Sequence, residues 1–347
     1  MRMNDLGRTG LKVSELCLGS MTWGTQNTME EGHAQIEMAL DHGINFVDTA
    51  EMYPVNPVST ETIGDTEAII GAWFAKAKRR SEVILATKMS GQNNSFVRFD
   101  QPITAETIVE GLEGSLKRLK TDYVDLYQLH WPNRGSYMFR QNWDFDPSGQ
   151  DRNETINNIH EVLGALGKMV DAGKIRHVGL SNESAWGTAM WLRASEEGVG
   201  PRMASIQNEY SLLCRLFDTD LSELCVNEDV GLLAFSPLAT GLLTGKYKRD
   251  VTPKGSRRDI GGDLGGRVTD RVWGAVAAYE DIAQKHGLNI SQMALAWCRT
   301  RPFMASAIFG ATSPDQLKVA LGSVDVVLSD EVLAEISAAH RAHPMPY

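Results

Sequence analysis

The chain has 347 residues, 42% of them apolar and 22% charged, and carries a formal net charge of −10. This balance fits a globular protein of one large α/β domain or two ordinary ones, and the acidity argues against a broad nucleic-acid surface while leaving room for a local anion site. No apolar run approaches the roughly 20 residues that cross a bilayer, and Met1-Arg2-Met3-Asn4-Asp5 has no export signal, so a cytoplasmic protein is expected, with Cys17, Cys214, Cys225 and Cys298 as free thiols outside any zinc or redox motif.

Residues 6–13 read as a hairpin around Thr9-Gly10 that covers one end of the fold. Residues 16–19 form a first buried strand, and the loop behind it holds Trp23, either a substrate wall or a core residue. A helix over 33–42 closes at Gly43. Phe46 and Val47 belong to a second strand; Asp48 ends it and Tyr53 follows five residues later, before a loop stiffened by Pro54 and Pro57. Ile69, Ile70, Trp73 and Phe74 mark a helix over 65–78. A third strand over 83–86 leads to Lys88, a helix covers 104–119, and a fourth strand over 124–129 leads to His130. The polar, aromatic stretch 131–153 is long enough to be a functional loop.

Further strands are predicted over 175–180, 205–207, 230–235 and 304–309, with helices over 156–171, 183–194, 221–227, 272–285, 291–298, 314–321 and 330–340. A second long excursion, rich in glycine and arginine, covers 241–271. Eight strands alternating with helices favour a (β/α)8 TIM barrel over a doubly wound open sheet. No linker divides residues 1–347, so one domain is expected, with the long loops at the C-terminal mouth.

In such a barrel the strand ends meet at that mouth. Asp48, Tyr53, Lys88 and His130, each weak evidence alone, then become one proton-transfer set. Tyr53 would protonate the alkoxide that develops as a hydride reaches a carbonyl carbon. A free phenol has a pKa near 10, and the Lys88 ammonium is expected to lower it, with Asp48 holding Lys88. His130 would steer the carbonyl oxygen or relay a proton. No compact ligand cluster suggests a metal. The chain also lacks Gly-x-Ser-x-Gly and a Gly-x-x-x-x-Gly-Lys-Ser/Thr phosphate loop.

Several stretches carry a resemblance. Gly7-Arg8-Thr9-Gly10-Leu11-Lys12-Val13-Ser14 resembles the opening of many aldo-keto reductases. The segment 45–53 looks like the one with that family's catalytic Asp and Tyr, 122–130 like its catalytic-His strand, and Lys88 matches the remaining tetrad position. The similarity continues through 173–182 to Gln316, and the nearest branch is the bacterial Tas-like reductases. The resemblance implies a barrel that binds NADPH, or NADH as a second choice, without a Rossmann fold. It places Ser181, Asn182 and Gln207 at the nicotinamide carboxamide and Tyr210 against its ring. It places Ser236, Leu238, Gly241 and Leu243 at the pyrophosphate turn, Lys246 in its extension, and Gly310, Ala311, Thr312 and Gln316 at the adenosine end.

Two positions depart from the pattern: Pro54 stands where many relatives have glycine, and Ala320 where an adenine-side asparagine is common. Arg257, Arg258, Arg267 and Arg271 could add phosphate charge, with Arg257 the candidate chosen; at least two of the four are expected to be solvated loop surface. The pocket rim is expected to draw on Trp23, Trp131, Trp143, Glu209 and the C-terminal tail, and the polar Asn133, Arg134 and Glu209 leave room for a polyol or sugar-derived aldehyde. The expected partner is a small carbonyl or alcohol substrate, with no nucleic acid or membrane and an oligomer allowed. The alternative is a nicotinamide-binding regulatory subunit, similar to the barrel subunits of potassium channels.

Overall fold

The computed structural model describes residues 1–92 and 96–347. Its centre is a closed barrel of eight parallel strands in chain order: β3 (Leu16–Gly19), β4 (Phe46–Asp48), β5 (Ile84–Met89), β6 (Val124–Leu129), β7 (Ile175–Ser181), β8 (Met203–Glu209), β9 (Gly231–Phe235) and β10 (Met304–Phe309), which pairs back onto β3. The expected (β/α)8 barrel is therefore present. Before it, β1 (Met3–Asp5) and β2 (Lys12–Ser14) pair antiparallel. Leu6 and Val13, fully buried, join Cys17, Phe46, Ala86, Leu126, Leu233, Ala305 and Ile308 in one apolar cluster, so the hairpin plugs the barrel end opposite the mouth.

The helices are α1 (Met29–Asp41), α2 (Asp65–Ala77), α3 (Ala105–Leu119), α4 (Arg152–Asp171), α5 (Ala185–Glu196), α6 (Asp220–Glu228), α7 (Arg257–Gly261), α8 (Val272–Lys285), α9 (Ile290–Arg299), α10 (Pro314–Leu321) and α11 (Asp330–Ala342). Two begin four residues before the apolar pattern does, because their first turns are polar and are set by caps. Thr28 and Glu31 form a capping box on α1, and Asp151 accepts from the Asn153 and Glu154 N–H groups on α4.

Inside the barrel the two-residue period of a strand stacks layers. Phe46, Ala86, Leu126 and Leu233 belong to the apolar plug. Two residues further along the same strands come Asp48, Lys88, Gln128 and Phe235. The polar layer thus sits directly on a dry floor, and the strands β5 and β8 run further than expected, to Met89 and Glu209, carrying Lys88 and Gln207 within them.

Candidate functional site

Lys88 is the hub of the mouth. Its side chain is 0% exposed, and its Nζ donates to Asp48 Oδ2 at 2.6 Å, to the Thr49 carbonyl at 2.8 Å and to Tyr53 Oη at 3.3 Å. Three partners use its three protons. Asp48 Oδ1 accepts from Gln207 Nε2 at 2.8 Å and from Gln128 Nε2 at 3.2 Å, so the carboxylate is held on both oxygens. The Tyr53 and His130 rings stand edge-on, with centroids 6.0 Å apart. The four strand-end groups expected to meet are together.

Their electrostatics differ from expectation at one point. Burial lowers the Lys88 pKa, but Asp48, Tyr53 and the bonds to both outweigh it, so the amine is held above its ordinary value and stays an ammonium. Tyr53 was expected to have a lowered pKa. It is raised instead: burial pushes it up, and the Lys88 charge, which pulls it down, is the smaller effect and is opposed in turn by Asp48. At neutral pH the phenol therefore keeps its proton. His130 is driven well below its ordinary value, first by burial and then by Lys88, so its ring is neutral. Beneath them burial and Asp48 push the Cys17 thiol up, which removes it as a nucleophile.

Around this centre the sequence-predicted residues divide. Trp131 lies at the rim, its ring 4.8 Å from His130, its Nε1 donating to the Gln92 carbonyl at 2.7 Å. Trp23 does not face the mouth: it is 0% exposed, donates to Gln35 Oε1 at 3.2 Å and packs in the core beside α1, so the core reading is the correct one. Trp143 is 48% exposed under the Arg271 guanidinium, 4.5 Å away. The polyol-type groups are also spoken for. Asn133 bonds both backbone groups of Ile103, and Arg134 pairs with Glu183. Both Glu209 oxygens are taken, by Arg267 and Tyr347 on one and Arg140 on the other. These three residues support the loops and do not mark a polar substrate.

The cofactor assignments need one replacement. Tyr210 is 0% exposed; its ring is stacked on Trp297 at 5.3 Å and its hydroxyl donates to Asp218 at 2.5 Å. No face is left for a ligand. Phe235, half-buried at the last position of β9 and two residues above the Leu233 floor, is the aromatic side chain that reaches the mouth there. Its place just before Ser236 was the available signal. Gln128 was also overlooked; a glutamine inside the apolar run Leu126–Leu129 was the sign of an inward polar position.

Other donors and acceptors suit a dinucleotide. Asn182 Nδ2 donates to the His130 carbonyl at 2.9 Å, while its Oδ1 is buried without a partner among the described residues, as is His130 Nδ1. A buried orphan acceptor suits a carboxamide N–H. Ser181 Oγ donates to the Gln207 carbonyl at 2.8 Å and accepts from Asn182 Nδ2 at 3.1 Å, which leaves one lone pair on that oxygen. Ser236 and Leu238 are half-buried at the start of the β9 turn. Gly241 has φ 101°, and a Cβ there would lie 3.1 Å from Lys246 and Tyr247, so only glycine lets this turn run close. Leu243 is a core side chain, and its N–H is spent on the Leu238 carbonyl, so it contributes to the fold of the turn and not to a ligand.

Gly310, Thr312 and Gln316 are exposed at the N-terminal end of α10, with the Ala311 side chain buried. Gln316 Oε1 accepts from the Thr312 N–H at 3.0 Å. Helix starts favour anions, but at this one Pro314 carries no N–H and the Gln316 N–H is bonded to Ser313 Oγ. Lys246 is half-buried, with its Nζ 5.0 Å from the Tyr247 ring. The Arg257 guanidinium lies 4.0 Å from Met21 Sδ, its pKa pulled down to about 10 by burial and by the Arg267 charge.

Of the four loop arginines Arg271 is exposed, short of the two expected at the solvated surface: Arg257 is half-buried, Arg267 is 4% exposed and paired with Glu209, and the half-buried Arg258 donates to the carbonyls of Lys248, Val251 and Arg249. Among the described residues, three groups that could share one cation, His286, Glu331 and Glu335, lie away at the C-terminal end of α8 and on α11, where Lys285 already bridges both acids.

Comparison with known proteins agrees with this geometry. Residues 15–341 match the Aldo/keto reductase family. The chain is 43% identical over 349 aligned positions to Protein tas of Escherichia coli (strain K12), covering 100% of this chain and 99% of that protein. It is 32% identical to a probable voltage-gated potassium channel subunit beta of Arabidopsis thaliana, over 99% of this chain and 98% of that one. It is also 32% identical to the uncharacterized oxidoreductase YrpG of Bacillus subtilis (strain 168), over 96% of this chain and 94% of that one.

Proposed function

The chain belongs to the aldo/keto reductase family and is a nicotinamide-dependent oxidoreductase acting on carbonyls; from that premise we propose that it reduces aldehydes or ketones with NADPH in preference to NADH, Tyr53 giving the proton. The observation that carries this reading is the Lys88 hub, which joins Asp48 and Tyr53 beside the His130 ring. When bound, the nicotinamide supplies the hydride.

The protein's own groups do the rest. Asn182 Oδ1 and Ser181 Oγ hold the carboxamide, and Phe235 offers a ring face. Gly241 admits the pyrophosphate turn, and the α10 start with Gln316 takes the adenosine end. Lys246 and Arg257 add the cations that favour an extra phosphate, while Ala320 offers no adenine contact, so the preference for NADPH is modest. A carbonyl oxygen placed between Tyr53 Oη and the His130 ring accepts a hydrogen bond from the phenol. As negative charge builds on that oxygen, Tyr53 transfers its proton, and the Lys88 ammonium stabilises the phenolate left behind. Asp48, fixed by Gln128 and Gln207, keeps Lys88 charged and in place. In reverse, the phenolate accepts the proton of an alcohol. Trp131 gives the site an apolar wall, which fits aromatic or aliphatic carbonyls better than polyols.

The test is loss of NADPH or NADH absorbance across a panel of aldehydes and ketones. Turnover of at least one aromatic or aliphatic carbonyl, faster at low cofactor with NADPH, is expected; no turnover and no nicotinamide binding would sink the reading. The second reading, a regulatory subunit with little turnover, draws on the likeness to the Arabidopsis thaliana channel subunit. It would be preferred if the cofactor bound tightly while every carbonyl failed. Four free cysteines support a reducing cytoplasmic setting.

A further inference from the structure

Glu209 ends β8 at the mouth, buried to 8% exposure, and neither of its oxygens is free. Both carboxylate oxygens are engaged by protein donors. Oε2 accepts from Arg140 Nη1 at 2.9 Å, and Oε1 accepts from Arg267 Nε at 2.8 Å and from Tyr347 Oη at 3.2 Å. The three donors come from three separate segments: the long β6–α4 loop, the long β9–α8 loop and the C-terminal tail. Two guanidiniums this close repel, and burial and the Arg267 charge do lower the Arg140 pKa; Glu209 is the counterion they share.

Further contacts run between the same segments. Gly265 and Gly266, at φ 68° and 83°, pass beside the Arg140 guanidinium. Arg267 Nη1 donates to the Leu264 carbonyl at 2.8 Å, which ties the β9–α8 loop to its own bend. Thr269 Oγ1 donates to the Pro346 carbonyl at 2.5 Å, which fastens the tail to that loop a second time. The β6–α4 loop also carries Phe139, whose ring stands edge-on to Trp131 at 6.1 Å, and Trp131 lies against His130. A chain of contacts therefore leads from Glu209 through Arg140 and Phe139 to the wall of the reaction site.

We propose that Glu209 is a positioning residue, a buried three-way clasp that locks both long loops and the tail into one unit and thereby sets the size of carbonyl the site accepts. The proposal rests on the carbonyl-reductase reading of the mouth. The clasp acts on access and not on the proton transfer, because Glu209 touches none of Asp48, Tyr53, Lys88 or His130 through a hydrogen bond or ion pair. A broken clasp frees all three segments together, since each loses its bond to the same carboxylate.

The experiment uses the full chain with nicotinamide cofactor bound and compares Glu209→Gln, Arg140→Met and Tyr347→Phe with the parent. Hydrogen exchange is followed in segments 137–142, 263–269 and 343–347, together with kcat and KM for a short aliphatic aldehyde and a bulky aromatic one. In Glu209→Gln, exchange is expected to rise at least fivefold in all three segments at once. The ratio of kcat/KM between the two aldehydes should shift at least fivefold, mainly through KM of the bulky one, while kcat for the short aldehyde stays within threefold. Tyr347→Phe, which keeps both ion pairs, should give a smaller change in the same direction. Exchange that rises in one segment or none overturns the clasp, as does a hundredfold fall in kcat for the short aldehyde, which would put Glu209 in the chemistry. If Glu209→Gln does not fold, Arg140→Met and Tyr347→Phe decide by the same joint-exchange criterion. A parent protein that turns over no carbonyl defeats the functional reading, and the exchange result still decides the clasp.

Discussion

Lys88→Met gives a sharp test of the buried hub. The change removes three donated bonds and leaves Asp48, 2% exposed, with only the amide groups of Gln128 and Gln207. Stranding one member of a buried ion pair costs about 3–5 kcal/mol. Asp48→Asn strands the ammonium instead, though Thr49 and Tyr53 still accept from it, so a loss at the lower end of that range is expected. Combining both changes leaves no charge in the layer. The remaining cost is that of the lost hydrogen bonds, about 0.5–1.5 kcal/mol each. Urea unfolding of the parent, both single variants and the double variant measures this, with the slope checked for constancy. The double variant should fall short of the summed single losses by about 1.5 kcal/mol or more. Losses that add to within about 0.5 kcal/mol would refute the reasoning, because that is how independent sites behave.

The pH dependence follows from Tyr53. Reduction needs the phenol protonated, and its pKa is raised above the ordinary 10.0, chiefly by burial. Thus kcat/KM for reduction should stay level through neutral pH and decline only above about pH 10, while oxidation, which needs the phenolate, should climb over the same alkaline range; a reduction limb centred below pH 8 would contradict this. The correction at the nicotinamide ring is testable by fluorescence titration of cofactor. Phe235→Ala should weaken binding about 2- to 12-fold, the worth of an aromatic stack, whereas Tyr210→Phe, which loses only the bond to Asp218, should leave affinity within about twofold and lower stability. Phe235→Ala affinity within about twofold of the parent would contradict Phe235 as the stacking ring.

How far the sequence carried the fold and site depends on the kind of signal. The strands 124–129 and 304–309 and the helix 272–285 were legible to the residue, because each is an apolar run or stripe with clear ends. The helix starts at Met29 and Arg152 were not, because caps and polar first turns leave no periodic trace. The Asp48, Tyr53, Lys88 and His130 grouping was legible because strand ends converge in a closed barrel, whatever the register. Which aromatic faces the mouth was not. Tyr210 and Phe235 both follow or end strands, and the choice depends on Trp297, far along the chain, occupying the Tyr210 ring. Glu209, Asn133 and Arg134 were misread for a related reason: a polar side chain near a mouth looks available until its distant partners are known. The sign of the Tyr53 shift needed the depth of burial as well as the Lys88 charge.

Tyr53→Phe addresses the central claim most directly, because it removes one oxygen whose side-chain partner among the described residues is Lys88, at 3.3 Å. The measurement is single-turnover loss of NADPH absorbance with a carbonyl substrate, alongside cofactor titration and urea unfolding. The account predicts a hydride-transfer rate lower by about 10²- to 10⁴-fold, cofactor affinity within about twofold of the parent, and a stability loss of about 0.5–1.5 kcal/mol. Turnover at the parental rate would contradict Tyr53 as the proton donor.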